Sequence, residues 1–401
     1  MEKIRMGFVG LGGRGRGNMH LCAGMPDVEI TAVCDLYLDR AELSANECEE
    51  RYGSRPFLTT DYKELVVRDD VDAVIVTSSW EDHIPIAIAA MKQGKAVAIE
   101  VGGAYSLNDC FELVRVQEET QAPFMFLENC CFDETELLVT SLVRKGVYGE
   151  VVHCSGAYGH DLREEIIYGK ENRHYRLRNY MHRNCENYPT HELGPIAKIL
   201  GINRGNRMVS LVSMASKSAG LKTYVNDHKD RVDPELIGKE FAQGDIITTI
   251  IKCAHGETIH LRLDTTLPRT YDRDFTVHGT KAYSKNSSFV LDAKGEHTNN
   301  LRDYKKHLPA CWTDMTEEGR RLGHGGMDGI EFRVFIDCLK ENKPMPIDVY
   351  DAAAWMCISC LSETSIAQGG MPQEIPDFTH GQWLIRPLED VVEFPDIEFE
   401  A

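Results

Sequence analysis

The chain has 401 residues, 42% of them hydrophobic, which is enough material for two domains with a substantial core. Acidic residues outnumber basic ones by 63 to 44, and the net charge of −19 with no basic block argues against a nucleic-acid partner. No window reaches the roughly 18 apolar residues of a membrane span, so we expect no membrane partner.

The N-terminus and the cysteines predict a cytoplasmic protein. MEKIRMGFVG runs directly into a strand without the charged and apolar leader of an exported chain. The thirteen cysteines lie mostly in apolar segments, which favours reduced, buried thiols over a disulfide framework.

Residues 1–127 alternate short apolar runs with segments of helical length. The runs are MGFVG, EITAVCD, VDAVIVTSS, KAVAIEVG and PFMFLEN. Apolar strands separated by helices are typical of a parallel sheet covered on both faces, so we predict an α/β, doubly wound Rossmann domain. Ser106 with Asp109 predicts the start of one helix, and Gly94 predicts the end of another.

The pattern changes in residues 128–401. Five longer strand candidates follow with few helices between them: EVVHCSGAYGHD, RMVSLVSMAS, DIITTIIKCA, ETIHLRLDTT and DRDFTVHGT. They predict an α+β substrate-binding domain with a large, mostly antiparallel open sheet, completed by C-terminal helices within 327–368. The open face of such a sheet would bury apolar surface in a homo-oligomer, either a dimer or a tetramer.

Residues 162–187 are rich in Arg, His, Tyr and Asn and poor in aliphatic side chains. We expect them to form a surface excursion long enough to have a functional role.

The first strand is followed by a glycine-rich turn. Gly10, Gly12 and Gly15 have the G-x-G-x-x-G spacing that lets backbone approach a pyrophosphate at a helix N-terminus. Asp35 ends the second strand, 20 residues after Gly15, where a carboxylate binds the adenosine ribose hydroxyls. Leu36 and Tyr37 follow it rather than arginine, so NAD is favoured over NADP.

Polar residues concentrate beyond the carboxyl ends of the strands, where doubly wound sheets bind ligands. Trp80, His83 and Glu100 fall there, and a glutamate that closes an apolar strand needs a partner or a ligand. In the second domain the candidates for proton transfer are Tyr158, Tyr188 and His191. For each of these a purely structural role remains the alternative.

We predict no metal site. His182 with Cys185, and Cys357 with Cys360, have two-ligand spacings without a matching second pair, and the latter pair lies in an apolar helical pattern.

A series of motifs runs in order along almost the whole chain: GLGGRGRGNMH, WEDHIP, AIEVGGAYS, LENCCF, GAYGHDLR, NYPTHELGPIAKILGINRG, LPRTYDR, GHGGMD, DVYDAAAW and IPDFTHGQW. Through them the chain resembles the glucose-fructose oxidoreductase, inositol dehydrogenase and MocA superfamily. Within that superfamily it is similar to glycoside hydrolase family 109, which is NAD-dependent and known for α-N-acetylgalactosaminidase activity.

The resemblance implies residue roles. The implied NAD contacts are Gly13, Arg14, Asp35, Trp80, His83, Glu100, Val101 and Asn129. The implied substrate pocket consists of Glu128, Tyr158, Arg176, Tyr188, Pro189, Thr190, His191 and Tyr271. We expect Tyr158 and His191 to share the proton transfers and Arg176 and Tyr271 to orient the sugar.

The resemblance also implies a mechanism in which bound NAD transiently oxidises C3 of the sugar. Removal of the C2 proton then expels the C1 substituent, water adds, and the hydride returns, with no net redox change. The glycoside substrate would be an α-N-acetylgalactosaminide or another small glycoside, such as a sulfoquinovoside. The alternatives are a net sugar dehydrogenase or 3-keto sugar-forming oxidoreductase of the same superfamily, and a non-catalytic NAD-binding sensor.

Two positions set this chain apart. The superfamily's dehydrogenases usually carry a catalytic lysine where this chain has Val101, and valine is the residue of family 109. That family often has glycine where this chain has Glu192, so we expect a carboxylate beside His191 to affect the pocket or the pKa of the histidine.

Overall fold

The computed structural model describes residues 3–294 and 298–400. Its first sheet has six strands, all parallel: β1 (Ile4–Val9), β2 (Val28–Cys34), β3 (Phe57–Thr59), β4 (Ala73–Val76), β5 (Ala96–Glu100) and β6 (Phe124–Leu127). The strand order is β3-β2-β1-β4-β5-β6. Strands β2 and β3 therefore lie on one side of β1 and strands β4 to β6 on the other, so the strand order reverses between β1 and β4. This reversal creates the crevice in which doubly wound folds bind their ligands.

Helices connect these strands: α1 (Gly13–Ala23), α2 (Leu38–Tyr52), α3 (Tyr62–Val66), α4 (Trp80–Lys92) and α5 (Leu107–Thr120). The Rossmann prediction is confirmed. The Ser106 side chain accepts a hydrogen bond from Asp109 N at the start of α5, as its sequence position predicts. Gly94 lies just beyond α4 with φ +70°, the left-handed conformation expected after a helix.

The second sheet has nine strands: β7 (Val151–Gly159), β8 (Met208–Ala215), β9 (Ile246–Cys253), β10 (Thr258–Asp264), β11 (Thr276–Gly279), β12 (Ala282–Lys285), β13 (Ser288–Leu291), β14 (Thr298–Asn300) and β15 (Gln373–Glu374). Their order is β14-β13-β12-β11-β7-β10-β9-β8-β15. Neighbouring strands are antiparallel except β10 and β7, so the predicted mostly antiparallel sheet is confirmed.

The remaining helices are α6 (Glu134–Arg144), α7 (Arg163–Ile167), α8 (Arg176–His182), α9 (Thr190–Ile199), α10 (Gly220–Asp227), α11 (Ala310–Thr313), α12 (Met327–Glu341) and α13 (Val349–Ala367). Helix α13 joins the two sheets. Met356 O accepts a hydrogen bond from Ala104 N beyond β5, and Ser365 Oγ accepts one from Ser213 N in β8. Trp355, next to Met356 on the same helix, is fully buried.

The segment 162–187 is a surface excursion only in part, because residues 170–173 are exposed whereas several of its other polar residues are buried. Tyr180 is fully buried, and Arg176, Asn179 and Arg183 are each less than a tenth exposed. Their polar groups face partners inside the protein, because Tyr180 Oη lies 2.7 Å from Thr265 Oγ1 and Arg183 forms an ion pair with Glu363. The polar composition therefore marked both an exposed stretch, residues 170–173, and a buried polar lining.

Within the described ranges, no helix is both long and apolar enough to span a membrane.

Candidate active site

The glycine-rich turn has the geometry of a pyrophosphate site. Gly10 has φ +96°, and a Cβ on Gly15 would lie 1.9 Å from Gly10 O, so both positions require glycine. A Cβ on Gly13, by contrast, would meet nothing within 4 Å. Helix α1 starts there without a side-chain cap, which leaves its first N–H groups free to bind phosphate oxygens. The turn therefore fits the NAD that the sequence implies.

Asp35 lies at the end of β2, as predicted, and its carboxylate is held by backbone. Leu11 N donates to Oδ2 at 2.6 Å and Tyr37 N donates to Oδ1 at 2.9 Å. Although Leu36 and Tyr37 rather than arginine follow Asp35, the pocket does contain guanidinium groups, because Arg40 and Arg173 both lie over the Tyr37 ring. Arg40 lies in the first turn of α2, only five residues after Asp35, and was overlooked in the sequence, whereas Arg173 comes from the second domain and local sequence gave no sign of it.

Residues 169–175, which we call the strap, cross from the second domain to the adenosine end of the cleft. Arg173 Nη1 lies 2.7 Å from Asp39 Oδ1, and Arg40 Nη2 donates to Asn172 O at 2.7 Å. Both contacts join the strap to the start of α2, so the strap covers the cleft beside Asp35.

Glu100 has the partner that its buried position requires. Its Oε1 accepts from Arg14 Nε at 2.6 Å and from Asn18 Nδ2 at 2.9 Å, and its Oε2 accepts from Val101 N at 3.2 Å. His83 is also buried, with Nε2 3.0 Å from Ser78 O, and burial lowers the pKa of its imidazole.

One cleft of about 750 Å³ runs from this turn into the second domain. It brings together most of the predicted site residues: Gly10, Gly12, Gly13, Arg14, Gly15, Asp35, His83, Glu100, Val101, Asn129, Tyr158, Arg176, Tyr188 and His191. The remaining predicted residues lie outside its lining: Trp80, Glu128, Pro189, Thr190 and Tyr271. Pro189 and Thr190 are buried where α9 begins, so they place His191 rather than face the cleft.

His191 and Glu128 form a hydrogen-bonded pair at the inner end of the cleft. His191 Nδ1 lies 2.8 Å from Glu128 Oε1, and its Nε2 lies 3.5 Å from Tyr188 Oη. Burial raises the pKa of Glu128, but the charge and hydrogen bond of His191 oppose it, and the net shift is downward. The carboxylate is therefore ionised and fixes the imidazole with Nε2 toward the cleft.

Tyr158 lies beside this pair at the end of β7. Its ring packs 4.5 Å from the Tyr188 ring, and its hydroxyl lies 3.2 Å from His160 Nδ1. Burial raises the pKa of the Tyr158 phenol, and the nearby charge of Arg176 only partly opposes that rise. Tyr271 is half-exposed and meets His160 edge-on at 5.1 Å.

Arg176 provides a buried positive charge in the same region. Its guanidinium lies between the rings of Trp80 and Tyr188, at 4.9 and 5.0 Å from their centroids. Its Nε lies 2.6 Å from Glu165 Oε1, while the buried Nη1 has no hydrogen-bond partner among the described residues. An unpaired buried N–H is costly, so Nη1 is suited to a polar group of a ligand.

Glu192 faces away from the cleft. It is 1% exposed, and a Cβ on Gly156 of β7 would lie 2.7 Å from Glu192 Cβ, which places it between α9 and the sheet. Neither carboxyl oxygen has a hydrogen-bond partner among the described residues. Burial, and to a lesser extent the neighbouring carboxyl group of Glu186, raises the pKa of Glu192 well above its ordinary value. The carboxyl group of Glu192 is therefore a neutral acid.

Of the two pairs that we set aside, His182 is exposed while Cys185 is buried, and Cys357 and Cys360 are both buried in α13. Three other side chains, which the sequence did not suggest as metal ligands, do lie close together. Possible ligand atoms of Glu128, Cys130 and His191 lie within 4.8 Å of one another. However, Arg273 Nη1 lies 2.8 Å from Cys130 Sγ, and its positive charge opposes a cation there.

Several residues that line the cleft escaped the sequence analysis: Arg40, Glu165, Asn172, Arg173, His174, Tyr175 and His324. The composition of 162–187 was the only signal for most of them. His324 belongs to GHGGMD, which contributed to the resemblance but received no role.

Comparison with known proteins shows the fold class of this chain. Residues 4–127 match the model of an oxidoreductase family with an NAD-binding Rossmann fold. Levoglucosan dehydrogenase in its NADH complex aligns with a TM-score of 0.71 at 15% identity, covering 94% of this chain and 100% of that one. At this identity the likeness shows the fold alone, and with the glycine-rich turn it defines an NAD-binding protein of two-domain oxidoreductase architecture.

The family follows from the second domain. Residues 132–385 match the model of the glycosyl hydrolase 109 C-terminal domain. A glycosyl hydrolase family 109 protein of Solibacter usitatus is 39% identical, over 96% of this chain and 90% of that protein. An α-N-acetylgalactosaminidase of Tannerella forsythia is 36% identical, over 96% and 88%. The chain belongs to glycosyl hydrolase family 109 and is an NAD-dependent glycosidase.

Proposed function

We propose that the protein hydrolyses α-N-acetylgalactosaminides or closely similar small glycosides without net oxidation or reduction. The observation that carries this proposal is the Glu128–His191 pair, whose histidine lines the same cleft as Tyr158, Arg176 and the glycine-rich turn. The Tannerella forsythia relative, and one from Bacteroides fragilis at 36% identity, are α-N-acetylgalactosaminidases, which supports this substrate class.

His191 is the group that we assign to the C2 proton. Glu128 binds Nδ1, so Nε2, which lies 3.5 Å from the Tyr188 hydroxyl, is the ring nitrogen that takes a proton from the sugar and later returns one. The ionised Glu128 stabilises the imidazolium that forms in between. When bound, NAD would supply the oxidation at C3 that makes the C2 proton acidic, and the re-reduction that restores the sugar.

Tyr158 and Arg176 act on the oxygens of the sugar. Because burial keeps the phenol of Tyr158 protonated, it can donate a hydrogen bond or a proton to a sugar oxygen, with His160 as its neighbour. Arg176 presents the unpartnered Nη1 to a substituent of the sugar, and Trp80 and Tyr188 hold its guanidinium in place. This route needs no pair of carboxylates flanking the glycosidic bond.

Exchange of the C2 proton tests the proposal directly. Purified protein, without added nicotinamide, is incubated with aryl α- and β-glycosides, including N-acetylgalactosaminides, in deuterated water. We expect release of the aryl group, deuterium at C2 of the product and no accumulation of NADH. NADH formed in proportion to sugar, without release of the aryl group, would instead establish a sugar dehydrogenase.

We further propose that the protein is cytoplasmic and that copies associate through the open face of the nine-stranded sheet. Twelve of its thirteen cysteines are buried as free thiols, which suits a reducing compartment. On the sheet, the apolar side chains of Met214 and Ile250 are 59% and 39% exposed. Light scattering of the purified chain and an Ile250→Lys variant tests the association, and a wild-type monomer would refute it.

A further inference from the structure

Helix α12 brings one carboxylate to the cofactor end of the cleft. Asp328, in its first turn, is 1% exposed and hydrogen bonds with three side chains. Arg14 donates to both of its oxygens, Asn129 Nδ2 donates to Oδ1 at 2.7 Å, and His324 Nδ1 lies 2.9 Å from Oδ2. These partners come from α1, from the turn after β6 and from the segment before α12.

Asp328 and Glu331 are both buried on α12, but only the carboxylate of Asp328 is charged. Burial raises the pKa of Asp328, but the hydrogen bond of His324 and the charge of Arg14 outweigh it and lower the pKa below its ordinary value. Glu331 lies one turn later with neither oxygen hydrogen bonded among the described residues, and burial raises its pKa. Asp328 therefore supplies the negative charge at this point of α12.

Arg14 is held between two carboxylates. Its Nε binds Glu100 Oε1 at 2.6 Å, and its two terminal nitrogens bind Asp328. A guanidinium with both edges occupied has one orientation, and here that orientation keeps it in the lining of the cleft. Asn129 is likewise fixed, because its amide nitrogen donates to Asp328 Oδ1 and its amide oxygen accepts a weak hydrogen bond from Cys130 Sγ at 3.6 Å.

We propose that Asp328 is a positioning residue for NAD binding, which acts by holding Arg14 and Asn129 in the arrangement that retains the cofactor. The inference rests on the assignment of Arg14 and Asn129 as NAD contacts. It also gives the GHGGMD motif a role: a segment more than 300 residues from the glycine-rich turn completes the cofactor site. NAD binding then depends on α12 as well as on the Rossmann domain.

The test measures cofactor binding without any sugar. Asp328→Asn keeps the shape of the side chain and removes its charge. We expect it to lower the NAD content of the purified protein and to weaken NADH binding, followed by fluorescence titration, by about tenfold to a hundredfold. The KM for the glycoside, measured with saturating NAD, should stay within about twofold of the wild type.

Asp337→Asn is the matched control, because Asp337 lies on the same helix, is half-exposed and pairs with Arg333 instead. It should bind NADH like the wild type. If Asp328 acts through Arg14, the effects of Asp328→Asn and Arg14→Gln on the Kd for NADH are less than additive in the double variant. Additive effects, or a Kd for Asp328→Asn within twofold of the wild type, overturn the inference.

Two further measurements distinguish failure of this inference from misfolding of the variant and from failure of the proposed function. If Asp328→Asn fails to fold, as circular dichroism would show, Arg14→Gln and Asn129→Ala remove the two donors singly, and wild-type NADH affinity in both overturns the inference. Failure of the proposed function is seen separately, because a wild type that binds NADH tightly but cleaves no glycoside refutes the glycosidase chemistry and leaves this inference standing.

Discussion

Glu128 and His191 are 63 residues apart in the chain, and their side chains meet at 2.8 Å through Oε1 and Nδ1. Glu128 follows β6 of the parallel sheet, whereas His191 lies in the first turn of α9. The pair therefore joins the two parts of the protein at the inner end of the cleft. Since the carboxylate is fully buried, its interaction with the imidazole is weakly screened by solvent.

We expect Glu128→Gln to lower kcat by about a hundredfold or more, because an amide stabilises an imidazolium poorly and does not fix the proton on Nδ1. His191→Ala should lose at least as much. Both variants should bind NADH like the wild type in a fluorescence titration. The measurement is steady-state release of an aryl group across pH, and we expect the rate profile of Glu128→Gln to shift along the pH axis.

Glu331→Gln is the matched control for this change. Glu331 is as buried as Glu128, but it is a neutral acid without a hydrogen-bond partner among the described residues. Replacing it with the amide should leave kcat within about twofold of the wild type. Equal losses in the two variants would mean that any buried amide disturbs the site, and the role of Glu128 would fail.

Tyr158→Phe should reduce kcat by about a hundredfold or more while NADH binding is unchanged. The substitution keeps the ring that packs on Tyr188 and removes only the hydroxyl, which lies 3.2 Å from His160. Tyr283→Phe, on β12 and outside the cleft lining, is the control and should be fully active. If Tyr158→Phe retains wild-type kcat, the hydroxyl transfers no proton.

The sequence predicted the elements with strong local patterns. The glycine spacing, the position of Asp35 and the apolar strands of both sheets are determined by residues near one another in the chain, and the structure places them as expected. Glu100 was predicted to need a partner because a buried carboxylate alone is unfavourable, and Arg14 and Asn18 are that partner.

Contacts between side chains that are far apart in the chain could not be predicted from the sequence. Nothing near Arg173 in the chain indicates that it will meet Asp39, 134 residues away, and nothing in GHGGMD indicates that Asp328 will meet Arg14. The polar composition of 162–187 resembled a solvated loop because buried polar groups differ from exposed ones only in their partners. Those partners exist only once the two sheets have packed together.

The strap should control how fast the cofactor leaves. Arg173→Ala removes the ion pair with Asp39 at the adenosine end of the cleft, and we expect NADH to dissociate about two- to fivefold faster, since such exposed pairs are weak. Stopped-flow displacement of NADH by excess NAD measures the rate. Lys170→Ala, which removes a strap cation paired instead with Asp233, is the control and should not change it. An unchanged rate in Arg173→Ala would mean that the strap does not close the site.

Glu192 should make the fold less stable as pH rises. Burial raises its pKa, so the folded protein holds a proton that the unfolded chain releases above about pH 4.5. The stabilisation is therefore complete below that pH and is lost as pH rises toward the folded pKa, at up to about 1.4 kcal/mol per pH unit. Glu192→Gln removes this dependence, so its Tm should exceed that of the wild type increasingly between pH 6 and pH 9.

The control for this effect is Glu317→Gln, because Glu317 is exposed and should give the wild-type dependence of Tm on pH. Thermal unfolding followed by circular dichroism measures all three proteins in the same buffers. Parallel Tm curves for the wild type and Glu192→Gln would show that Glu192 is ionised in the folded protein, contrary to our interpretation.

Val101→Lys tests where the proton chemistry lies. Val101 is 5% exposed in the cleft lining, directly after the Glu100 that binds Arg14. A lysine there would compete with Arg14 for Glu100 or lose its proton in the buried setting, and either outcome disturbs the cofactor site. Because we assign the proton transfers to His191 and Tyr158, we expect no gain in glycoside cleavage and weaker NADH binding. Val101→Leu controls for size, and faster cleavage by Val101→Lys alone would show that the proton is removed from this edge of the sheet.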